Sequence, residues 1–250
     1  MDEPINWMTL EQIRDEYVKI IQQNKDLILE YKNALDCMEE ISLEINKKRS
    51  EDFKQDKEVD SFVKSLLGAR LIKLFSTAGA NYRLFTGGFI VESYANTRTS
   101  FELIISIYFD LKYPKKTEII FKKERPISCQ AMMDSLYDDS KNETLMRLYS
   151  ELCHHTHSSI KSISPIYDIQ PDMLKDVFDV AMMMLYATQI IFIELQKEYL
   201  SDEQITRLFS SMESILQNLY AVPDFIPDKI KSKIYFIDDP DLDEIKKRFD

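Results

Sequence analysis

The chain has 250 residues, of which 44% are hydrophobic and 11% aromatic, so it can bury one large core. Its four glycines and eight prolines are too few to punctuate the many short strands of a β-sandwich or barrel. The formal net charge of −11 opposes non-specific binding to nucleic acid or to an anionic membrane. We therefore expect an all-α helical bundle, in which any nucleic-acid role depends on local charge.

Cysteine usage and the N-terminus predict a cytoplasmic protein. Cys37, Cys129 and Cys153 are odd in number and widely spaced, and the first residues lack the basic start and apolar run of a signal peptide. The longest uncharged apolar stretch, Val180–Ile193, has 14 residues, whereas a membrane span needs about 20 apolar residues. It predicts a buried helix and no membrane partner.

A long N-terminal helix is the first predicted element. Thr9 and Gln12 form a capping box, after which apolar positions alternate steps of three and four for about five heptads. The seam comprises Ile13, Tyr17, Ile20, Asn24, Leu27, Tyr31, Ala34, Met38, Ile41 and Ile45, and Ile21, Ile28 and Leu35 widen it. A stripe this wide favours packing in a bundle. A projecting dimerisation arm, with Asn24 setting its register, is the alternative.

The next segment predicts two helices followed by a loop. Apolar spacing predicts a helix over Phe62–Phe75 that weakens near Gly79. Another should run over Gly88–Tyr113, because Pro114 disfavours the α region for the residue before it. The basic segment Lys115–Arg125 contains apolar residues that could form a short strand or anchor a loop, and we expect the loop.

Capping residues mark the helices that follow. Ser128 predicts a short helix that ends at Tyr137. Ser140 and Glu143 form a capping box for the helix that carries the histidines.

A long buried helix and a capped helix complete the bundle. Pro171 fits the first turn of a helix over 172–199, which we expect to be the central one. Ser201 and Gln204 cap a helix that ends near Tyr220. The predicted organisation is a long N-terminal helix with a charged linker at 1–60, a bundle at 61–220 and an irregular C-terminal tail at 221–250.

Local charge reverses between Lys112 and Arg125, where basic residues outnumber two glutamates. By default such a run is a solvated loop. Lys122 and Lys123 are the candidates in it for contact with an anionic substrate.

The three histidines, His154, His155 and His157, fall within four residues beside Cys153. Histidine titrates close to neutral pH, so the cluster suggests acid/base chemistry or metal binding. The plain alternative is that cations are favoured near a helix C-terminus.

Arg147, Glu151 and His154 share one helical face, because seven residues return to within about 20° of the starting direction. The Arg could neutralise a phosphate and the His could move a proton. The alternative is an ordinary surface Arg–Glu pair with a fortuitous histidine.

Arg98 and Glu102 lie one turn apart beside the apolar residues Phe101 and Ile105. Structurally, they could form a satisfied buried ion pair. Functionally, the carboxylate could hold a catalytic histidine in one tautomer.

A metal site is a third possibility, since Cys153 and His157 are four residues apart. The chain has no histidine outside the cluster, so a closed zinc site would need distant ligands, and we expect no metal and no cofactor. A phosphate-binding glycine loop, a Gly-x-Ser-x-Gly elbow and a dinucleotide fingerprint are also missing, which excludes those reaction classes.

Two short patterns resemble a known family. Arg98-x-x-x-Glu102, followed by Tyr149-x-x-Leu152-Cys153-x-x-x-His157, resembles a large group of bacterial helical proteins in which a small residue, usually Ser, replaces Cys153. The spacing of Arg147 and His154 resembles the Arg-x(4 to 6)-His signature of HEPN domains, which are helical bundles. HEPN domains commonly act as metal-independent ribonucleases in toxin and antiphage systems.

The resemblance implies an endoribonuclease in which a histidine assists attack of a ribose 2′-OH on the adjacent phosphate and an arginine stabilises the developing charge. It also implies an active cleft across a homodimer. The implied roles are phosphate binding for Arg147, proton transfer for His154, support for Arg98, Glu102 and His157, and substrate contact for Tyr149, Lys122 and Lys123. The rival hypothesis is a non-catalytic interaction protein with a buried Arg/Glu/His network and an acidic surface that docks a protein partner.

Overall fold

The computed structural model describes Asp15 and residues 18–19, 21–52, 62–123, 127–156 and 171–218. These residues form helices with short connections and contain no strand, so the predicted all-α class is confirmed. The helices are α1 (Lys25–Asp52), α2 (Phe62–Gly87), α3 (Ile90–Lys112), α4 (Pro114–Lys122), α5 (Cys129–Leu136), α6 (Asp139–Thr156), α7 (Pro171–Gln196) and α8 (Asp202–Asn218).

Helix α3 lies at the centre of the bundle. It packs against α2, α4, α5, α6 and α7. Its fully buried apolar side chains are Phe101, Ile104, Ile105, Ile107, Tyr108 and Phe109. The prediction that the helix over 172–199 is the central one is wrong, because the short helices α4 to α6 gather around α3, while α7 packs mainly on α1, α2, α3 and α8.

Helix α7 is nevertheless largely buried. By length and composition alone, Val177–Gln196 would also pass as a membrane-spanning helix. Within the bundle 72% of this apolar stretch is buried, which is the environment of a core helix. The predicted burial of Val180–Ile193 is confirmed.

Helix α1 packs into the bundle through the predicted seam. Its buried members are Tyr31, Ala34, Met38, Ile41 and Ile45. The helix contacts α2, α7 and α8, and the Tyr31 hydroxyl donates to the Ala78 carbonyl at 3.1 Å. Over 25–52 the helix is therefore part of the bundle and not a projecting arm.

The described residues before α1, namely Asp15 and residues 18–19 and 21–23, are helical, as the predicted long helix requires. Asn24 forms a turn between residues 21–23 and α1, and its carbonyl accepts from the Ile28 N–H at 3.0 Å. At the other end the helix continues to Asp52, into the segment that charge predicts as a linker. The predicted box of Thr9 and Gln12, and the seam residues Ile13, Tyr17 and Ile20, lie outside the described residues.

Helix α2 continues through Gly79 and ends at Gly87 and Gly88. The prediction of weakening near Gly79 is wrong, since α2 is continuous to Gly87, and tertiary packing outweighs the low helix propensity of one glycine. Gly88 has a φ of 78°, which glycine adopts without strain. The Gly88 N–H donates to Phe85 O at 3.1 Å and the Phe89 N–H to Leu84 O at 2.9 Å, the pattern of a Schellman cap.

Helix α4 runs to Lys122, so the loop predicted over Lys115–Arg125 is wrong for residues 115–122, while residues 124 and 125 lie outside the described part of the chain. Pro114 ends α3 as predicted and also occupies the first turn of α4, where its missing N–H is not needed. The buried Thr117 hydroxyl donates to Asp110 Oδ1 at 2.9 Å, which ties α4 to α3. Burial raises the pKa of Asp110, while the Arg70 cation 3.0 Å away and the Thr117 hydroxyl act in the opposite direction.

Of the three predicted caps that lie within the described residues, two are confirmed. Ser128 Oγ accepts from the Ala131 N–H at 3.2 Å and begins α5. Ser201 and Gln204 form a reciprocal box at the start of α8, with distances of 2.9 and 3.3 Å.

The predicted box of Ser140 and Glu143 is wrong. Helix α6 begins two residues earlier, where Asp138 Oδ1 accepts from the Lys141 N–H at 2.9 Å. An aspartate caps a helix as well as a serine does, so either Asp138 or Ser140 could serve as the N-cap of this helix.

A buried polar ladder joins α2 to α3. Asn81 Nδ2 donates to Thr97 Oγ1 at 3.2 Å, and Asn96 Nδ2 donates to Asn81 Oδ1 at 2.8 Å and to the Thr77 carbonyl at 2.5 Å. Ser100 Oγ donates to Thr77 Oγ1 at 2.8 Å. Asn96 is half-buried, whereas the other four members are buried and depend on partners within the protein for their hydrogen bonds.

Asn81→Ala should lower the free energy of unfolding by about 1–3 kcal/mol, because Thr97 and Asn96 lose partners inside the core. Asn33→Ala, at an exposed position of α1, is the matched control and should stay within about 0.5 kcal/mol of the parent. Urea denaturation followed by circular dichroism measures both, and equal midpoints would contradict the importance of the ladder.

Candidate functional site

Helices α3 and α6 meet at a cluster of polar side chains. Arg98 and Glu102 come from α3, one turn apart, and Tyr149 and Thr156 come from α6. We call these four residues the α3–α6 cluster. Each pair of residues has the spacing that places both members on one helical face, so the two faces oppose each other.

Hydrogen bonds connect all four members of the α3–α6 cluster. Arg98 Nε donates to Glu102 Oε1 at 3.0 Å, and its other nitrogens donate to Thr156 Oγ1 at 3.1 Å and to the Tyr149 hydroxyl at 3.5 Å. The Tyr149 hydroxyl donates to Glu102 Oε1 at 2.8 Å. The arginine and the carboxylate therefore neutralise each other, and the phenol bridges them.

Aromatic packing fixes the Tyr149 ring. It stacks on Phe101 with a centroid distance of 5.5 Å and an interplanar angle of 20°, and the Arg98 guanidinium carbon lies 5.6 Å from its centroid. Burial and the hydrogen bond to Glu102 raise the pKa of Tyr149. The phenol is therefore a neutral hydrogen-bonding group at ordinary pH.

The α3–α6 cluster is partly open to solvent. The Arg98 and Glu102 side chains are 25% and 37% exposed, so both can be approached from outside. The Thr156 hydroxyl also donates to the Cys153 carbonyl at 3.0 Å, which holds the last turn of α6 against Arg98.

Two thiols lie near the α3–α6 cluster. Cys129 comes from α5 and is buried, whereas Cys153 comes from α6 and is half-buried. Burial, reinforced by the negative charge of Glu102, raises the pKa of Cys129 to about 12. Cys129 is consequently a buried, neutral thiol at ordinary pH.

Arg147 and His154 lie elsewhere on α6. Arg147 forms an ion pair with Glu143, one turn earlier, and its side chain is 78% exposed. At about 100° per residue, Arg147 lies about 200° from Tyr149 around the helix axis, on the opposite side from the α3–α6 cluster. His154 and Glu151 are exposed, as expected for the face that they share with Arg147.

Of the remaining predicted site residues, Lys122 and Lys123 are not brought to the α3–α6 cluster. Lys122 and Lys123 lie at the end of α4, which packs on α2 and α3, and Lys122 pairs with Glu118 at 2.6 Å. His157 lies outside the described residues. No group of three His, Cys, Asp or Glu side chains in the described ranges is arranged to hold a metal ion.

A groove lies between α1 and α8, and none of the predicted site residues lines it. It has a volume of about 540 Å³ and is lined by acidic and hydroxyl side chains, with Arg207 among them. Arg207 pairs with Glu40 at 2.6 Å and Ser214 donates to Glu30 at 2.8 Å. These contacts join the two helices across the groove.

Thr156 and Cys129 are the site residues that the sequence analysis does not single out. Thr156 follows Tyr149 by seven residues, so the spacing that pairs Arg147 with His154 could have indicated it. Cys129 carries no local signal, because its place beside Glu102 depends on how α5 packs.

No family model, curated protein or solved structure matches this chain. The resemblance to HEPN domains and the enzymatic roles that it implies therefore stay predictions.

Removal of the Arg98 guanidinium from α3 and of the Arg147 guanidinium from α6 should change the free energy of unfolding by very different amounts. Arg98→Ala should lower the free energy of unfolding by about 1–3 kcal/mol, because Glu102 and Tyr149 lose a charged partner. Arg147→Ala should change it by less than about 0.5 kcal/mol, since an exposed helical ion pair contributes little. Urea titration of both variants tests this, and a larger effect for Arg147 would contradict the cluster.

Cys129 should resist alkylation in the folded protein. At about pH 8 its thiol is protonated and buried, and the thiolate is the reactive form. Treatment with iodoacetamide followed by peptide mass spectrometry should show Cys153 modified before Cys129, with both modified in denaturant. Faster labelling of Cys129 in the native protein would contradict the assigned burial.

Proposed function

We propose that the protein is a helical interaction protein, in which the α3–α6 cluster holds the bundle together and the surface binds a protein partner. The supporting observation is that the cluster is satisfied by its own members. Glu102 accepts from both Arg98 and Tyr149, and Arg98 donates to three side chains. A carboxylate that already neutralises the arginine opposes the binding of a phosphate at the same guanidinium.

The position of Arg147 supports the same proposal. A ribonuclease of the HEPN kind needs an arginine at the scissile phosphate and a histidine within reach of the ribose hydroxyl. Here Arg147 is paired with Glu143 on the outer side of α6, and the overall charge of −11 repels an RNA strand that approaches this side.

A metal-independent ribonuclease is the second candidate, because Arg147 and His154 share the exposed face of α6. In that candidate an RNA phosphate would displace Glu143 from Arg147, while His154 on the same face serves in proton transfer. The resemblance to HEPN domains suggests that such a protein would act as a toxin or antiphage effector.

Incubation of the purified chain with a single-stranded RNA in excess EDTA separates the two candidates. The interaction protein should leave the RNA intact on a denaturing gel. Cleavage that survives EDTA and disappears in both Arg147→Ala and His154→Ala would overturn the proposal in favour of the ribonuclease.

Arg83→Ala supplies the control for that assay, because Arg83 is an exposed arginine of α2. Cleavage that persists equally in all variants identifies a contaminating nuclease, and the proposed function then stands. Thermal melts of each variant verify that it is folded at the assay temperature.

A further inference from the structure

The exposed face of α4 is basic on an acidic protein. Lys115, Lys116, Lys122 and Lys123 are exposed, and Glu118 is the one acidic residue of the helix. Ile119 lies among these lysines and is 52% exposed. At about 100° per residue, Lys115 and Lys123 lie about 40° to either side of Ile119, and Lys122 and Lys116 about 60°. An apolar centre thus has a cationic rim; we call it the α4 face.

Aromatic side chains and a small cavity lie on the opposite side of α4, because Phe121 is about 160° from Ile119 around the helix axis. Phe121 and Phe62 are 57% and 39% exposed and pack against each other with centroids 4.8 Å apart. Beside them a cavity of about 60 Å³ is lined mainly by apolar residues, with Arg70 at its wall. It has room for roughly two water molecules, or for the end of one small apolar side chain.

We infer that the α4 face binds an acidic amphipathic segment of a partner protein. The inference rests on the proposed function and names the chemistry of the partner. Apolar side chains of the segment would cover Ile119, and its carboxylates would pair chiefly with Lys115 and Lys123, because Lys122 already pairs with Glu118 and Lys116 lies over the rings of Phe109 and Tyr113. An apolar centre inside a polar rim is the usual anatomy of a protein interface.

Charge and size favour a short acidic segment over an extended polyanion. The whole chain carries −11, so a long RNA or an anionic membrane would meet repulsion beyond the α4 face. Screening limits such forces to about 8 Å at physiological salt. Helix α4 has nine residues and is about 14 Å long, so a segment of two or three turns matches it without reaching the acidic surface.

The attraction is electrostatic at the rim and apolar at the centre, so the two parts can be separated by experiment. Lysine is a compact point charge that does not need bidentate geometry, which suits several arrangements of carboxylates. Raising the salt concentration should weaken the rim contribution. Removing Ile119 should weaken the apolar contribution at any salt concentration.

The probe is a fluorescein-labelled helical peptide with glutamates on one face and leucines on the other, titrated with the full chain in fluorescence anisotropy. We expect saturable binding that weakens with salt. Lys115→Glu with Lys123→Glu should reduce affinity at least tenfold, and Ile119→Ser severalfold. Lys25→Glu with Lys73→Glu, which changes two exposed lysines of α1 and α2, makes the same charge change and should have little effect.

Three outcomes overturn the inference. The first is no binding of the peptide by the folded parent, and the second is equal loss in the α1/α2 control variant. The third is binding of a uridine 20-mer or of phosphatidylserine vesicles through the same lysines with affinity equal to or above that of the peptide. Circular dichroism confirms that each variant is folded.

The assay with the uridine 20-mer also distinguishes failure of the inference from failure of the proposed function. A uridine 20-mer that is bound at the α4 face and cleaved in EDTA overturns both. A chain that binds neither peptide nor RNA and cleaves nothing overturns the inference alone.

Discussion

The pairing of α3 with a neighbour on each side is the constraint on which the rest of the structure depends. Toward α2 its hydroxyl and amide groups form a buried ladder through Asn96, Thr97 and Ser100. Toward α6, Arg98 and Glu102 form the α3–α6 cluster. Apolar burial drives these helices together without direction, whereas hydrogen bonds require particular atoms to meet. The polar side chains therefore fix the positions of α2 and α6 along the axis of α3.

Helix α6 separates two kinds of chemistry by its two faces. Tyr149 and Thr156 face α3 and complete a network that neutralises its own charges. Arg147 and His154 face outward, among acidic residues such as Glu143. Both faces contain residue types that active sites use. The partners of these residues, and not the residue types, distinguish a structural hydrogen-bond network from a catalytic group.

Patterns that act over one or two turns were readable in the sequence. The seam of α1, the caps at Ser128 and Ser201, the break at Pro114 and the pairing of Arg98 with Glu102 all follow from local spacing. The failures have a common physical origin, which is that packing overrides local preference. Helix α4 forms although its composition suggests a loop, because Thr117 is buried against Asp110.

The candidate site shows the same division. Spacing placed Arg98 with Glu102 and Arg147 with His154 on common faces, but could not say which face of α6 turns toward α3. That orientation depends on the apolar residues Leu145 and Leu152, which are buried and lie on the side of Tyr149. The hydrogen bond between Asn81 and Thr97 could likewise not be predicted, because asparagine and threonine are common residue types on protein surfaces.

The joint between α3 and α4 is one residue, Tyr113, and all three of its polar groups are engaged. Its N–H donates to Phe109 O at 2.8 Å, its carbonyl accepts from the Thr117 N–H at 2.9 Å, and its hydroxyl donates to Ser135 O at 2.9 Å. Helix α4 thus cannot swing as an independent lever. A molecule that docks on it meets a preorganised backbone, so on the α4 side the ordering cost falls on side-chain rotamers, added to the translational and rotational entropy that every association loses.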